Sequence, residues 1–253
     1  MSFILTCSCI LFAIAHIFCD AEDLYPARYE GLQIYEKSYP HLLDAVEQFL
    51  PEDPVIFEAG AHYGTDTVHF AKRWPKGTVI SFEPNPHAFE LLSRATKGLA
   101  NVSIHNLAVN EYNGDALLHV CHGTTGDDPK FEGASSLLEA SWWQEIHYRG
   151  PKVIVPCVVL DDWCEDNGVD HVDFIWFDLE GMELQVLRSS PRILDTVKVI
   201  LTETNFKEFR KGMTQYNELK AFLEESRFKL IAHWYAQRFQ GNALFVKKEP
   251  FEN

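Results

Sequence analysis

The sequence predicts a doubly wound α/β fold, in which a mainly parallel seven-stranded sheet carries helices on both faces. Two observations support this fold class. Short apolar runs alternate with amphipathic stretches along most of the chain, and strand–helix alternation is typical of parallel sheets. Helix start and stop signals also recur between the apolar runs. The strand candidates are Val55–Ala59, Thr78–Glu83, Val102–Leu107, Phe174–Asp178, Val197–Glu203, Phe228–Trp234 and Ala243–Lys247.

The helices are predicted from apolar residues at helical spacing and from capping signals. Asn85, for example, is a typical N-cap residue, and Pro86 suits the first turn of the helix that follows it. Gly98 then marks the end of that helix. The predicted helices lie within residues 24–50, run from Thr65 to about Trp74, begin at Pro86 and at Pro191, and cover Thr214–Ser226.

A stretch from Asn110 to Trp163 interrupts this alternation. Two strand-like runs, Asp115–Val120 and Val153–Val159, flank a middle section that contains Gly and Ser. We therefore expect a small β insertion beside the main sheet. Within it, Phe131–Trp143 is a candidate cover for a ligand site, although aromatic residues such as these are often simply packed.

The chain of 253 residues fits one large domain, residues 23–253, preceded by an apolar segment. Phe3–Phe18 is mostly apolar and is followed by polar residues, which predicts a signal peptide or hydrophobic anchor over residues 1–22. No Lys or Arg precedes this run, so an amphipathic packing segment or a wrongly assigned start is the alternative. We accordingly expect a cytoplasmic or membrane-associated protein, with any membrane association made through this segment.

The net charge argues against a nucleic-acid partner, and the cysteine spacing argues against a zinc site. The 22 Lys and Arg residues against 37 Asp and Glu give a net charge of −15, which repels a phosphate backbone and argues against nucleic acid. Cys121, Cys157 and Cys164 are scattered singly, without the paired spacing of a zinc site. We expect buried thiols and assign no metal.

The first candidate site element is the loop after the first strand, with the sequence FEAGAHYG (57–64). Glu58 precedes Gly60, Ala61 follows it, and Gly64 leads into a helix. Glycine lets the backbone pass close to a ligand, and this strand end faces the ligand crevice of a doubly wound sheet. The glycine spacing fits a dinucleotide poorly and suits a cofactor with a cationic amino-acid end. A packing role for both glycines is the alternative.

The next candidates lie at the ends of the second and third strands. Glu83 lies 23 residues after Gly60, where an acid can accept both hydroxyls of a ribose. A surface acid that favours a helix start is the alternative for Glu83. Asn106 and Ala108, in NLAV (106–109), would then lie beside the adenine of the same nucleoside.

An apolar run before residue 178 ends in the acidic sequence DLEGME (178–183). Carboxylates at a crevice can position a hydroxyl, accept its proton, hold an amine or bind a metal. Asp178 and Glu180 are therefore the catalytic candidates, with an acidic loop and helix start as the alternative. Weaker candidates are Glu183, Glu203, His62 and His233.

In this order, the motifs resemble those of the FkbM family of methyltransferases, a branch of the class I Rossmann-like methyltransferases that use S-adenosylmethionine. The resemblance runs from about Val55 to Lys247. It is carried by FEAGAHYG (57–64), FEPNP (82–86), NLAV (106–109), ASSLL (134–138), VVLDDW (158–163), FDLEGMELQVL (177–187), ILTET (200–204) and GNALFV (241–246).

The resemblance implies methyl transfer from S-adenosylmethionine to a hydroxyl oxygen of a sugar or small metabolite. The residues that it assigns to the cofactor are Glu58, Gly60, Ala61 and Gly64 at the methionine end, Glu83 at the ribose, Asn106 and Ala108 at the adenine, and Asp178. It places Asp178 and Glu180 beside the methyl group as catalytic residues. Two positions depart from the family pattern, because Glu58 replaces the usual Asp and Trp176 stands where a Lys is common.

Two other functions stay open on the sequence alone. One is a non-catalytic protein that binds the nucleoside cofactor on the same fold, which Trp176 and the apolar N-terminal segment suggest. The other is a nicotinamide oxidoreductase, which the glycine spacing disfavours. For an enzyme we expect a small-molecule or glycan acceptor.

Overall fold

The computed structural model describes residues 39–122, 129–142, 150–237 and 239–248. The segment predicted at residues 1–22 lies outside the described residues, so its role stays a prediction. Within the described ranges, no helix combines the length and the apolar character needed to cross a membrane.

Ten strands and seven α-helices are described and are numbered along the chain. The strands are β1 (Val55–Ala59), β2 (Thr78–Phe82), β3 (Val102–His105), β4 (Ala108–Val109), β5 (Gly114–His119), β6 (Lys152–Val158), β7 (Phe174–Phe177), β8 (Val199–Asn205), β9 (Phe228–Gln237) and β10 (Gln240–Lys247). The helices are α1 (Tyr39–Glu47), α2 (Thr65–Arg73), α3 (Pro86–Ala95), α4 (Leu160–Asp166), α5 (Glu183–Ser189), α6 (Pro191–Thr196) and α7 (Tyr216–Glu225).

Seven strands form the main sheet, in the order β3-β2-β1-β7-β8-β10-β9. All neighbours are parallel except β10, which runs antiparallel to both β8 and β9. The strand order reverses between β1 and β7, and open α/β sheets bind ligands at such a switch point. Ala59 pairs with both Phe82 and Phe177, so β1, β2 and β7 end level with one another. The predicted fold class is confirmed.

Helices cover both faces of this sheet. Successive strand residues point to opposite faces, so Ile56 and Phe57 enter different cores. The core on the Phe57 side packs against α4, α5, α6 and α7, and the core on the Ile56 side packs against α1 and α2. The predicted cap of α3 is confirmed, because the Asn85 side chain accepts a hydrogen bond of 3.1 Å from the His87 N–H.

Strand β7 is buried at all four residues, as expected for a parallel strand covered on both faces. Trp176 belongs to the core on the Ile56 side, and its indole Nε1 donates a hydrogen bond of 3.2 Å to Asp66 at the start of α2. The unusual tryptophan before the acidic loop is therefore part of the packing between the sheet and α2.

The insertion is a three-stranded sheet in the order β4-β6-β5. Its own small core includes Ala116, Leu118 and Val155. The predicted boundaries of the insertion were wrong at both ends. It begins earlier, because β4 pairs with β6. It ends earlier too, because Leu160 and Trp163 of α4 pack in the main core.

Candidate active site

A cleft opens beside the carboxyl ends of β1, β2 and β7. Four of the predicted cofactor residues line it together, and they are Gly60, Glu83, Ala108 and Asp178. They come from four separate segments of the chain, which the sheet topology brings to one edge.

Gly60 brings the first loop against the acidic loop. Its φ is +88°, and a Cβ built on it would lie 2.0 Å from the Asp178 carbonyl oxygen. The Gly60 and Ala61 N–H groups both donate hydrogen bonds of 3.0 Å to the Phe82 carbonyl. A residue without a side chain is therefore required where β1, β2 and β7 end together.

Glu83 is held with its carboxylate at the cleft. It is 6 % exposed, and its two oxygens accept hydrogen bonds from the His62 N–H (2.7 Å) and the Asn85 N–H (2.8 Å). Burial raises the pKa of Glu83 to about 7, against the lowering effect of these two bonds. Each carboxylate oxygen has two lone pairs, so Glu83 can accept further hydrogen bonds from a ligand.

Glu58 lies beneath the loop and outside the cleft lining. It is fully buried, and its Oε2 accepts hydrogen bonds from Thr67 Oγ1 (2.5 Å) and Ser81 Oγ (2.6 Å). Burial raises its pKa to about 8. Through these two hydrogen bonds, Glu58 on β1 connects its strand to β2 and to α2.

The remaining predicted cofactor residues also lie outside the lining. The Asn106 side chain donates hydrogen bonds to the backbone carbonyls of Glu83 (2.8 Å) and Pro84 (3.2 Å), and so holds the loop that carries Glu83. Ala61 is buried in the first loop, and Gly64 precedes α2 with a φ of +83°.

Three carboxylates gather at the ends of β7 and β8. Asp178, Glu180 and Glu203 each place an oxygen within 4.8 Å of the others. Burial raises the pKa of Asp178 well above its ordinary value, and the charges of Glu180 and Glu183 raise it further. Burial likewise raises the pKa of Glu203 well above its ordinary value. The two catalytic candidates and one weaker candidate therefore form one group.

Glu183 shapes the loop that carries the two catalytic candidates. Its Oε1 accepts hydrogen bonds from the backbone N–H groups of Leu179 (3.1 Å) and Gly181 (3.2 Å). Glu180 between them has a φ of +51°, which is uncommon for a residue with a side chain. Burial raises the pKa of Glu183 to about 7.

Arg210 is a site residue that the sequence did not indicate. It is 1 % exposed, its guanidinium lies 3.6 Å from the Glu180 carboxylate, and it donates a hydrogen bond to the Ala134 carbonyl. Burial raises the pKa of Glu180, and Arg210 counteracts that rise. In the sequence Arg210 lies next to Lys211, and such a basic pair is typical of an exposed loop.

Glu132 is a second residue that the sequence did not indicate. It lies on a 3-10 helix of the insertion, Pro129–Ala134, and it lines the cleft. Its carboxylate accepts hydrogen bonds from Tyr63 (2.9 Å) and Asn85 (2.6 Å) and contacts Nδ1 of His87 (2.8 Å). Burial opposes ionisation, but these three contacts lower the pKa of Glu132. The insertion is thereby attached to the loops after β1 and β2.

The predicted cover contributes to the cleft through its first half. Residues 132, 133 and 135–137 line the cleft, and the Ser136 hydroxyl donates a hydrogen bond of 3.1 Å to the Glu180 carbonyl. Trp142 is 82 % exposed, and Trp143 lies outside the described residues.

The two histidine candidates differ in position. His62 lines the cleft with its ring stacked on Tyr63, 3.6 Å between centroids, and burial lowers its pKa. His233 lies outside the cleft lining, stacked on Tyr216 at 4.6 Å and hydrogen-bonded to Thr204 (3.1 Å). Burial lowers the pKa of His233 to about 4, consistent with a packed residue.

Comparison with known proteins identifies relatives of this chain. The sequence matches the Methyltransferase FkbM domain over residues 58–230. The 2-O-methyltransferase NoeI of Sinorhizobium fredii is 28 % identical over 196 residues, which cover 76 % of this chain and 79 % of the relative. Methyltransferase sdnD of Sordaria araneosa is 24 % identical over 248 residues, 84 % of this chain and 89 % of the relative. The hexuronic acid methyltransferase AglP of Haloferax volcanii is 25 % identical over 152 residues, 60 % of this chain and 56 % of the relative.

The domain match covers more than half of the chain and includes the first loop, Glu83, the insertion and the acidic loop. It confirms the resemblance found in the sequence motifs and decides between a methyltransferase and a nicotinamide oxidoreductase. The chain belongs to the FkbM family of methyltransferases.

Proposed function

We propose that the protein transfers a methyl group from S-adenosylmethionine to a hydroxyl oxygen of a sugar or small metabolite. The observation that carries this proposal is the common cleft, in which Glu83 from the end of β2 and Asp178 from the end of β7 face the same space. The names of two relatives, a 2-O-methyltransferase and a hexuronic acid methyltransferase, support an oxygen acceptor on a sugar.

The chemistry of the cleft lining fits this cofactor. The Glu83 oxygens have lone pairs left for the two hydroxyls of a ribose. Ala108, Val109 and Leu137 supply apolar contacts of the kind that an adenine ring needs, and Asp178 lines the same cleft. When bound, S-adenosylmethionine supplies a methyl group on a sulfonium, which already has a good leaving group.

The protein therefore has to align the reactants and handle one proton. We assign the orientation of the acceptor hydroxyl, and acceptance of its proton, to Asp178 and Glu180. Glu183 and Arg210 act on these two residues by fixing the loop and the Glu180 carboxylate. The acceptor is expected to be a small molecule or a glycan, because the net charge of −15 disfavours nucleic acid.

The location is a separate proposal. S-adenosylmethionine is made in the cytoplasm, so we propose that the domain works there or at a membrane facing it. Residues 1–22 would then act as an anchor rather than as a secretion signal. Cell fractionation of the full chain and of a chain without residues 1–22 tests this assignment.

Two substitutions test the assignment of the cleft residues. Glu83→Ala removes the ribose acceptor and should weaken binding of S-adenosylhomocysteine about tenfold or more, measured by calorimetry. Asp178→Ala should leave that binding within a few-fold of the wild type and slow turnover about 100-fold or more. Turnover is measured as S-adenosylhomocysteine formed across a panel of glycan and small hydroxyl acceptors.

The control is Glu165→Gln, which removes one negative charge from an exposed position of α4. This control variant should change neither the affinity for S-adenosylhomocysteine nor the turnover. Unchanged binding in Glu83→Ala together with unchanged turnover in Asp178→Ala would overturn the assignment. Cofactor binding without product on any acceptor would contradict the proposed reaction.

A further inference from the structure

The acidic group at the ends of β7 and β8 has the geometry of a cation site. Glu203 lies on β8, and Asp178 and Glu180 lie in the loop between β7 and α5; each of the three offers one oxygen within 4.8 Å of the other two. Hard divalent cations bind oxygen ligands at about 2.0–2.6 Å, so oxygens on opposite sides of one ion lie about 4–5 Å apart. The three carboxylates therefore have a spacing that one ion can bridge.

Asn205 provides an independent observation. It is 1 % exposed, and its Oδ1 accepts no hydrogen bond within the described structure. It follows Glu203 by two residues on β8, so both side chains point to the same face of the sheet, and its side chain interacts with the Glu203 carboxylate and lowers the pKa of that group against the effect of burial. A buried amide oxygen without a partner is costly, and an amide oxygen is a common ligand of hard cations.

The charges of the described residues also favour a cation. Arg210 lies 3.6 Å from Glu180, but within the described ranges neither Asp178 nor Glu203 has an ion-pair partner. The neutral Gln240 side chain donates a hydrogen bond of 3.1 Å to Glu203 Oε1, and Glu203 Oε2 is buried without one. Buried carboxyl groups are normally paired, bound to a metal or protonated, and within the described ranges Asp178 and Glu203 have no positive partner.

We propose that Asp178, Glu180, Glu203 and the Asn205 amide oxygen bind one divalent cation of the hard class, such as Mg²⁺ or Mn²⁺. The cation site goes beyond the sequence analysis, which assigned no metal. Its role rests on the proposed function, because Asp178 also lines the cleft. There the cation would hold the acceptor oxygen and favour its deprotonated form, and the second oxygen of Asp178 or Glu180 would accept the proton. This role selects acceptors with a second oxygen next to the methylated hydroxyl, such as vicinal diols or hydroxy acids.

The proposal is tested with Mn²⁺ and the full chain, by electron paramagnetic resonance of the free ion. The wild type should bind one Mn²⁺ per chain in a saturable manner. Glu203→Gln keeps the size of the side chain and should weaken Mn²⁺ binding roughly tenfold or more, since even residues outside the ligand set affect affinity by this amount. Asn205→Ala should weaken it severalfold. The control Glu165→Gln removes the same charge elsewhere and should bind Mn²⁺ as the wild type does.

Thermal unfolding gives a readout that does not depend on activity. A cation that binds the folded state raises the unfolding midpoint, so Mn²⁺ should stabilise the wild type and Glu165→Gln but not Glu203→Gln. The same curves show whether each variant folds, and Asn205→Ala serves as the test if Glu203→Gln does not. Absence of saturable binding to the wild type, or equal affinity in Glu203→Gln and the wild type, would overturn the proposal.

Binding of S-adenosylhomocysteine to the same samples separates this inference from the proposed function. A wild type that binds S-adenosylhomocysteine but no Mn²⁺ contradicts the cation site alone. A wild type that binds Mn²⁺ but no S-adenosylhomocysteine contradicts the proposed methyl donor alone.

Discussion

At the scale of single residues, the site depends on how closely the backbone of the first loop approaches the acidic loop. Gly60 and Gly98 have nearly the same φ, +88° and +87°. Their surroundings differ, because a Cβ on Gly60 would meet the Asp178 carbonyl whereas a Cβ on Gly98 would meet nothing within 4 Å. Substitution of each glycine with Ala therefore distinguishes the cost of the left-handed backbone from the cost of the steric overlap.

Gly98→Ala should cost about 1–2 kcal/mol of unfolding free energy, the usual strain of a left-handed residue with a side chain. Gly60→Ala should cost about 3 kcal/mol or more, because the overlap with the Asp178 carbonyl adds to the same strain. It should also weaken binding of S-adenosylhomocysteine, since the loop must move away from β7. Urea unfolding and calorimetry measure both effects. Equal stability losses in the two variants would show that the close approach is unimportant.

The sequence revealed those site residues whose position follows from the strand pattern. Glu83 and Asp178 are each the last residue of a predicted strand, so the parallel sheet alone brings them together. Glu132 and Arg210 have no such signal. Glu132 contacts Tyr63 across 69 residues, and Arg210 contacts Ala134 across 76. Contacts of that kind depend on how the insertion folds back, which local periodicity does not encode.

At the scale of elements, the 3-10 helix Pro129–Ala134 links the insertion to the main domain through the Glu132 carboxylate. Its three side-chain partners lie on or beside the loops after β1 and β2, the same loops that supply Gly60 and Glu83 to the cleft. The helix thereby determines where one wall of the cleft lies.

Glu132→Ala should loosen this wall without unfolding the sheet. Amide hydrogen exchange should increase over residues 132–138, and affinity for S-adenosylhomocysteine should fall about fivefold, equivalent to about 1 kcal/mol. Tyr63→Phe removes one of the three contacts and should have a smaller effect on both measurements. If exchange in this segment were unaffected by Glu132→Ala, the carboxylate would not be what attaches the insertion.

Most elements were predictable because their periodicity is strong. In the main sheet, the predicted start of every parallel strand except β8 is the start found in the structure, and β8 begins at Val199 instead of Val197. The insertion was less predictable. Strand β4 has two residues, which is too short for an alternating pattern, and its pairing with β6 spans about 50 residues. The helix after β6 begins without a sequence signal, since Val159 at its N-cap makes no side-chain cap hydrogen bond.

At the scale of the whole molecule, buried carboxyl groups connect stability to pH. The pKa of Glu58 is raised from 4.5 to about 8, mainly by burial, so the folded state binds this proton more tightly than the unfolded state. The resulting stability is fully present below pH 4.5 and is lost as the pH rises through about 8. Glu58 is thus expected to be largely protonated near neutral pH.

Glu58→Gln should therefore reduce the alkaline loss of stability. For a single group with this pKa, the unfolding free energy should fall by about 2–3 kcal/mol between about pH 6 and about pH 9. The variant should lack that part of the decrease, because the amide does not ionise. Urea unfolding at the two pH values measures the difference, with Glu165→Gln as the control for charge. A decrease in Glu58→Gln as large as that of the wild type would refute the raised pKa.

The position of β10 has a consequence for biosynthesis. Residues 240–247 fill the gap between β8 and β9, so a nascent chain still lacking them presents β8 as an open edge. The ribosome must release β10 before the main sheet is complete, and chaperones that shield extended segments would act on the chain until then. Premature stop codons only slightly upstream of residue 240 should accordingly yield aggregated protein rather than a smaller working enzyme.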